Sequence, residues 1–258
     1  AMVAWASEKG LCQLDGLADD QEPDHRRACR PFAPNCGFTI AESAQMIVLF
    51  DDALAMELGA TAFGAATDVF VNADGYKKSI SGPGVGNYIT MAKALASARA
   101  ILGERGIRQG GLVQAHGTGT PQNRTTESQI LSQAARAFGI DSWPVAAMKC
   151  YLGHSIGSAA GDQISATLGV WQHGLIPGIT TIDEIAEDVC QDHLAFSREH
   201  RQVDPQQQKY AIINSKGFGG NNASATLLSP VVTRAMLRAR YSADEWKAWQ
   251  RANEKVLE

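Results

Sequence analysis

The sequence predicts an α/β fold around a mixed sheet, on three observations. Segments with helical spacing of apolar residues alternate with short runs of β-forming residues. Two such runs, Tyr210-Ala211-Ile212-Ile213-Asn214 and Ala223-Ser224-Ala225-Thr226-Leu227-Leu228, flank a glycine-rich turn and read most simply as a hairpin. The chain has 258 residues, 45% of them hydrophobic, with 25 glycines, enough to bury a sizeable core in one large domain or two small ones.

In chain order, residues 1 to 13 read as a helix already under way, with Met2, Trp5 and Ala6 on one face. Residues 14 to 36 are rich in Asp, Glu, Arg and Pro and read as a surface loop. Gly37-Phe38-Thr39-Ile40 and Met46-Ile47-Val48-Leu49-Phe50 are dense in β-formers and are expected as strands. Residues 51 to 59 predict a short helix, with Asp51 and Asp52 in its first turn and Gly59 as its stop. Ala62 to Asn72, containing Val69-Phe70-Val71, predicts another strand, and Ser81 to Gly86 a loop. Tyr88 to Leu102 predicts a helix ended by Gly103. A strand then leads to His116, a helix covers about Thr125 to Ala137, and Pro144 to Met148 is a short buried strand. Ser155 to Trp171 predicts a helix whose small residues, Gly157 to Gly161, suit close packing. After Pro230 the composition changes to a charged helical tail over 231–258.

Composition excludes several classes. With 23 basic and 27 acidic residues the net charge is -4, which argues against a sequence-independent nucleic-acid binder. No apolar run approaches the ~20 residues that span a bilayer, and the N-terminus lacks a secretory pattern. Five scattered cysteines (Cys12, Cys29, Cys36, Cys150 and Cys190) argue against a disulfide framework or zinc site and fit a reducing cytoplasm.

Three stretches concentrate chemistry. In Val113-Gln114-Ala115-His116-Gly117-Thr118-Gly119-Thr120-Pro121, an imidazole follows a strand end and two hydroxyls follow it. Taken alone, such a histidine is more often structural. In Lys149-Cys150-Tyr151-Leu152-Gly153-His154, a lysine leaves an apolar strand and a histidine precedes a small-residue helix. The positive end of a helix disfavours imidazolium, and a neutral imidazole there can donate to a developing enolate oxygen. In Asn214 to Asn222, Gly217-Phe218-Gly219-Gly220 can bring backbone amides close to a ligand and serve as an oxyanion hole, although glycine-rich turns are common. Cys150 reads as structural, and His25, His173, His193 and His200 as solvated.

Together these stretches resemble the β-ketoacyl synthases of the thiolase superfamily. His116 to Pro121 is similar to the family's HGTGTP motif, Lys149 to His154 to its K-x-x-x-G-H motif, and Asn214 to Asn222 to its N-S-x-G-F-G-G-x-N motif. Arg30-Pro31-Phe32 and Gly37 to Glu42 resemble further family segments, so the resemblance runs from about residue 29 to 229. It implies a thiolase-like layered αβαβα fold with mixed sheets, incomplete in this chain. It divides the chain into 1–110, the remainder of an N-terminal half, 111–230, a C-terminal half, and the tail 231–258.

The implied activity is decarboxylative Claisen condensation of an acyl thioester with malonyl-(acyl carrier protein). His116 and His154 would bind the thioester carbonyl and Lys149 would organise the site. Thr118 and Thr120 would bond the phosphopantetheine arm, while Phe218, between Gly217 and Gly219, would complete the oxyanion hole and gate the acyl pocket. No metal or redox cofactor is expected. Acyl carrier protein and an acyl-CoA or acyl-carrier-protein donor are the expected partners, and the enzyme is expected to be a cytoplasmic homodimer.

Several departures from the pattern stand out. The family's nucleophilic cysteine lies farther upstream of the Arg30 segment than these residues reach, so the chain alone is expected to be inactive for condensation. Arg124 stands where the family usually has Asp, Gln163 where many members have Glu, and Lys216 where an aromatic residue is frequent. The loss of acids leaves Glu127 as a candidate partner for Lys149. Ala41 and Ser43 replace glycines. The rival readings are a non-catalytic chain-length-type partner subunit, a polyketide-type ketosynthase, and a protein-interaction module docking through its tail.

Overall fold

The computed structural model describes residues 25–34, 38–75 and 84–257. The expected helix over 1–13, most of the loop over 14–36, Gly37, and residues 81–83 lie outside the described residues.

The centre is a six-stranded mixed sheet. Its strands are β1 (Ala65–Ala73), β2 (Gly111–Gln114), β3 (Trp143–Ala146), β5 (Leu194–Phe196), β7 (Tyr210–Gly217) and β8 (Asn221–Leu228), in the spatial order β1-β8-β7-β2-β3-β5. The β1, β8 and β7 pairings are antiparallel, and β7, β2, β3 and β5 run parallel. The expected hairpin is therefore β7–β8, and it is longer on both arms than the apolar residues alone suggested. A separate two-stranded ladder joins β4 (Leu175–Ile176) to β6 (Arg201–Gln202).

Both faces of the sheet are covered. On one face pack α2 (Val85–Arg108) and α3 (Pro121–Ala137), where Met91, Leu95, Ile130 and Leu131 meet Val113, Val145 and Ile212. On the other packs α5 (Ala159–His173), where Val170 and Trp171 meet Leu112, Ala146, Ala211 and Ile213. Successive residues Leu112 and Val113 thus serve opposite cores, which is why the parallel strands are short uninterrupted apolar runs rather than alternating ones. Each such side chain contributes roughly 1.5–3 kcal/mol by burial.

Helix α2 contains a break: Gly103 takes φ 70°, and a second helical stretch continues to Arg108 beyond the stop expected there. Helix α3 begins at Pro121, four residues before the expected start, because proline suits the first helical position.

Among the described residues two expected strands are not formed. Met46 to Phe50 is irregular, with Met46 98%, Val48 72% and Leu49 76% exposed, and no strand of the sheet pairs with it. High β-propensity forms a strand only where an edge is offered to it. Of the Gly37–Ile40 strand, the described part makes a single parallel bridge, Ile40 to His154, and runs along the start of α5. There Ser43 and Ser158 hydroxyls meet at 3.0 Å, and Gln45 donates to Asp162.

The tail forms two helices, α6 (Pro230–Arg240) and α7 (Ala243–Leu257), which fold back onto α1 (Asp52–Leu58). Ser229 caps α6 through Val232 N, and Ser242 with Glu245 forms a capping box for α7. Met56, Leu237 and Trp249 are buried together, and Trp249 Nε1 donates to Ala60 O at 3.1 Å.

Candidate active site

The register of the parallel strands gathers the chemistry at one end of the sheet. Gln114 pairs with both Ala146 and Ile213, so the residues that follow each strand (His116, Lys149 and the Asn214–Gly217 arm) emerge side by side. His116 is buried, and its main chain is fixed by a carboxylate. Glu127 on α3 accepts from His116 N at 2.6 Å and Gly117 N at 2.9 Å, and also from the amides of Asn123 and Asn214. Gly117 takes φ 47°, and a Cβ there would lie 3.1 Å from Ala147 Cβ, so the sharp turn behind His116 requires glycine. Lys149, also buried, donates from Nζ to His116 O at 2.5 Å.

Lys149 opens a one-turn helix, α4 (Lys149–Leu152), and His154 follows Gly153. The backbone of His154 is stitched to the segment before it: His154 N donates to Thr39 O at 2.6 Å, and Ala41 N to His154 O at 3.0 Å. Its Nδ1 accepts from Ile156 N at 3.1 Å. The neutral ring therefore carries its proton on Nε2, available as a donor. The two imidazoles stand edge to face with centroids 5.3 Å apart.

Both rings are held uncharged. Burial lowers His116 well below the usual imidazole range, with Lys149, His154 and Lys216 adding to the effect. Burial, then the Lys149 charge, brings His154 down to about 3. The neutral state expected from a helix dipole thus has another cause: α5 begins five residues later, at Ala159, and a helix terminus acts within about its own first turn. Lys149 itself is pulled down to about 8 by burial, partly offset by the charges of Glu127, Cys29 and Asp162.

The two histidines, Lys216, Gly217 and Asn222 line a cleft of about 290 Å³. Lys149 lies behind this cleft rather than in its wall. Thr118 and Thr120 bond each other through their hydroxyls at 3.0 Å. Phe218 sits at the hairpin tip with its side chain 41% exposed, next to Gly219, whose φ of 80° closes the turn. A larger hollow of about 350 Å³ lies between α1 and the tail, lined by Met56, Tyr241 and Glu245, and contains neither histidine.

The departures from the family pattern have distinct fates. Arg124 faces away from Lys149: it makes a two-pronged pair with Asp188 at 2.7 and 2.9 Å and donates to the carbonyls of Ala33 and Pro34. Gln163 is buried and donates to the carbonyls of Gln114, Ala115 and Asn214, joining the ends of β2 and β7. Lys216 is buried and donates to Thr126 on α3.

Two features were missed. Asp162, buried at the start of α5, accepts from Ser155 and Gln45. A buried polar layer of Asn87, Thr90, Asn214 and Ser224 lies beside Glu127. The polar residues inside otherwise apolar patterns, Asn87 and Thr90 in α2 and Asn214 ending an apolar strand, were the available signal.

Comparisons agree with this geometry. Residues 63–183 match the family described as the C-terminal domain of β-ketoacyl synthases. The chain is 53% identical over 257 residues to the β-ketoacyl-[acyl-carrier-protein] synthase FabY of Pseudomonas aeruginosa, covering 99% of this chain and 40% of that protein. The crystal structure of that noncanonical ketosynthase superposes with a TM-score of 0.87, covering 90% of this chain and 36% of the other. A type II polyketide ketosynthase solved in complex with its acyl-carrier protein shares the fold, with a TM-score of 0.71 at 18% identity, covering 89% of this chain and 53% of the other. The chain thus spans about 40% of the length of the curated relative it matches along almost all of its own. The motif order, the paired imidazoles and the family match place one conclusion on the sequence: residues 63–183 belong to the β-ketoacyl synthase family.

Proposed function

We propose that the chain supplies the decarboxylation wall of a β-ketoacyl-(acyl carrier protein) synthase. The observation that carries this reading is the pair of neutral imidazoles 5.3 Å apart in one cleft. His116 and His154 donate hydrogen bonds to the thioester oxygen of malonyl-(acyl carrier protein). The bond from the malonyl methylene to its carboxylate breaks, carbon dioxide leaves, and the electron pair moves onto the carbonyl as an enolate that the two donors stabilise. The enolate carbon then attacks an acyl thioester carbonyl, and the thiolate departs with the carbon–sulfur electrons. Loss of carbon dioxide drives the step, and no metal or redox cofactor takes part.

Lys149 fixes His116 through its carbonyl and adds the charge that keeps both rings neutral. Thr118 and Thr120 meet the phosphopantetheine arm, and the Phe218 amide, flanked by Gly217 and Gly219, completes the oxyanion hole. The acyl group is carried on a cysteine outside this chain: among the described residues Cys29 and Cys150 are buried, burial pushes the Cys150 thiol far up, away from a reactive thiolate, and the half-buried Cys190 lies outside the cleft. The chain alone is accordingly inactive for condensation.

Acyl carrier protein is the partner, as the name of the similar synthase and the complex of the structural neighbour support. The working enzyme is a cytoplasmic homodimer, with 1–110 completing its N-terminal half, 111–230 its C-terminal half, and 231–258 an appended tail. Among the described residues no helix is long and apolar enough to cross a membrane.

In a full-length enzyme carrying this sequence, His154→Ala is expected to abolish carbon dioxide release from malonyl-(acyl carrier protein). Unchanged release would refute the assignment.

A further inference from the structure

The two histidines are held in place by different acids. Glu127 fixes the turn behind His116 through main-chain amides. The turn that carries His154 has a buried acid of its own, Asp162, in the first turn of α5. One of its carboxylate oxygens accepts from the hydroxyl of Ser155, the residue next to His154, and the other from the side-chain amide of Gln45. Gln45 lies across Gly161, where a side chain would run into it. The segment 39–45 is in turn bonded to both main-chain groups of His154, which donates to Thr39 O at 2.6 Å and accepts from Ala41 N at 3.0 Å. Asp162 therefore ties this segment and the histidine turn to one helix.

The turn itself is strained. Ile156 N donates back to His154 Nδ1 at 3.1 Å, and from there the chain passes towards α5 with Ile156 at φ 56°, a left-handed conformation that a β-branched residue rarely adopts. The bond from Ile156 decides the tautomer of His154. Without it Nδ1 would lose its donor, and the proton would be shared between the two ring nitrogens. Strain of this kind persists only where neighbouring bonds over-determine it. Such bonds stand on both sides: Ser155 to Asp162 before Ile156, and Ser158 to Ser43 O at 2.9 Å after it.

We propose that Asp162 is a positioning residue for decarboxylation: through Ser155 it holds the strained turn in which Ile156 N fixes the His154 tautomer, so that Nε2–H is the donor presented to the thioester oxygen. The inference rests on the reading of His154 given above. Asp162 touches neither substrate nor reacting atoms; it sets the aim and the protonation site of the ring that does. Its effect falls on enolate formation rather than on substrate binding, because the Nε2 bond strengthens as charge develops on the oxygen.

The test uses a full-length enzyme carrying this sequence, isotope-labelled in its histidine rings. Nuclear magnetic resonance reads the His154 tautomer, its signal assigned by its loss in His154→Gln, and carbon dioxide release from malonyl-(acyl carrier protein) gives kcat and KM. The wild-type enzyme is expected to show the Nε2–H tautomer alone. Asp162→Ala is expected to give a mixture of tautomers and to lower kcat by about tenfold to a hundredfold, the scale of a misplaced donor, with KM unchanged. Asp162→Asn keeps an acceptor for Ser155, while Gln45 turns its amide, and is expected to restore the single tautomer and most of kcat. Should Asp162→Ala fail to fold, Ser155→Ala cuts the same bond from its other end and carries the same expectations. A single Nε2–H tautomer that survives loss of the bond, an unchanged kcat, or an asparagine variant as impaired as alanine overturns the proposal. Each of those results leaves the decarboxylation reading standing as long as His154→Ala abolishes release. If His154→Ala releases carbon dioxide at the wild-type rate, that reading falls and takes the proposal with it.

Discussion

The carboxylate of Glu127 accepts the main-chain amide protons of both His116 and Gly117, at 2.6 and 2.9 Å, and so fixes the turn that presents the first imidazole. It also takes Asn123 and Asn214, so one buried acid joins α3, the His116 turn and the end of β7. Glu127→Gln places an NH₂ group against donors and removes charge-assisted bonds. It is expected to lower stability by about 2–4 kcal/mol. Urea denaturation measures this, and a loss below experimental error would show that the turn does not depend on the acid.

The buried histidines make stability fall in acid. An unfolded histidine titrates near its ordinary value of about 6.5. In the fold His154 stays neutral down to about 3, and His116 also lies well below the ordinary range. Between about 6.5 and 3 the unfolded chain therefore holds more protons at His154, and stability drops as pH falls through that window by about 1.4 kcal/mol per pH unit from this group, with His116 acting in the same direction. Replacing His154 with glutamine is expected to reduce the slope by roughly that amount. Denaturation midpoints measured across the window provide the check, and an unchanged slope would contradict the neutral, buried state.

Lys149 sets a limit on the alkaline side. Its folded pKa of about 8 lies below the ordinary lysine value near 10.4, so the ammonium that holds His116 O discharges as pH rises through 8. From this group alone stability increases between about 8 and 10.4, while the electrostatic order of the site weakens. Decarboxylation by a full-length enzyme is expected to decline above about pH 8, and Lys149→Arg, which stays charged, to flatten that decline. A pH–rate profile compares the two, and identical profiles would detach Lys149 from the chemistry.

The tail behaves as part of the fold in its contacts with α1. Trp249 is buried against Met56 and Leu237, Asn253 bonds Gly59 O and Thr61 Oγ1 at 2.8 Å, and Arg240 pairs with Asp52. Trp249→Ala is expected to cost about 2–4 kcal/mol through the cavity and the lost indole bond. Faster hydrogen exchange should be confined to α1, α6 and α7. Uniform acceleration over the sheet would instead mean that the tail supports the whole core.

The class of fold was legible because both periodicities were strong: the 88–102 and 125–137 patterns became helices, and the hairpin around Gly219 formed where its glycines demanded. The site was legible for a different reason. His116, Lys149 and Gly217 each end or follow a short strand, and parallel strands in register bring their ends together. What sequence could not show was pairing. Met46 to Phe50 has the composition of a strand and pairs with no strand of the sheet, whereas Leu194 to Phe196 joins β3 with far less β character. Nor could it show direction: Arg124 and Gln163 were read as changes of charge near Lys149, yet one reaches outward to Asp188 and the other ties three carbonyls. Glu127 was found as a partner for a lysine, and the structure shows it bonded chiefly to amides.

The stacked indoles of Trp246 and Trp249, 4.6 Å apart and 27° from parallel, have a spectroscopic consequence. Two indoles this close couple their strong short-wavelength transitions and give a paired positive and negative band in far-ultraviolet circular dichroism, which separated tryptophans do not. The strand β8 carries the chain roughly 23 Å from Asn221 at the cleft to Leu228, just before the tail begins. The protein thus contains its own optical gauge of whether α7 is formed, one that can be read without a label while the histidines are titrated or the cleft is filled.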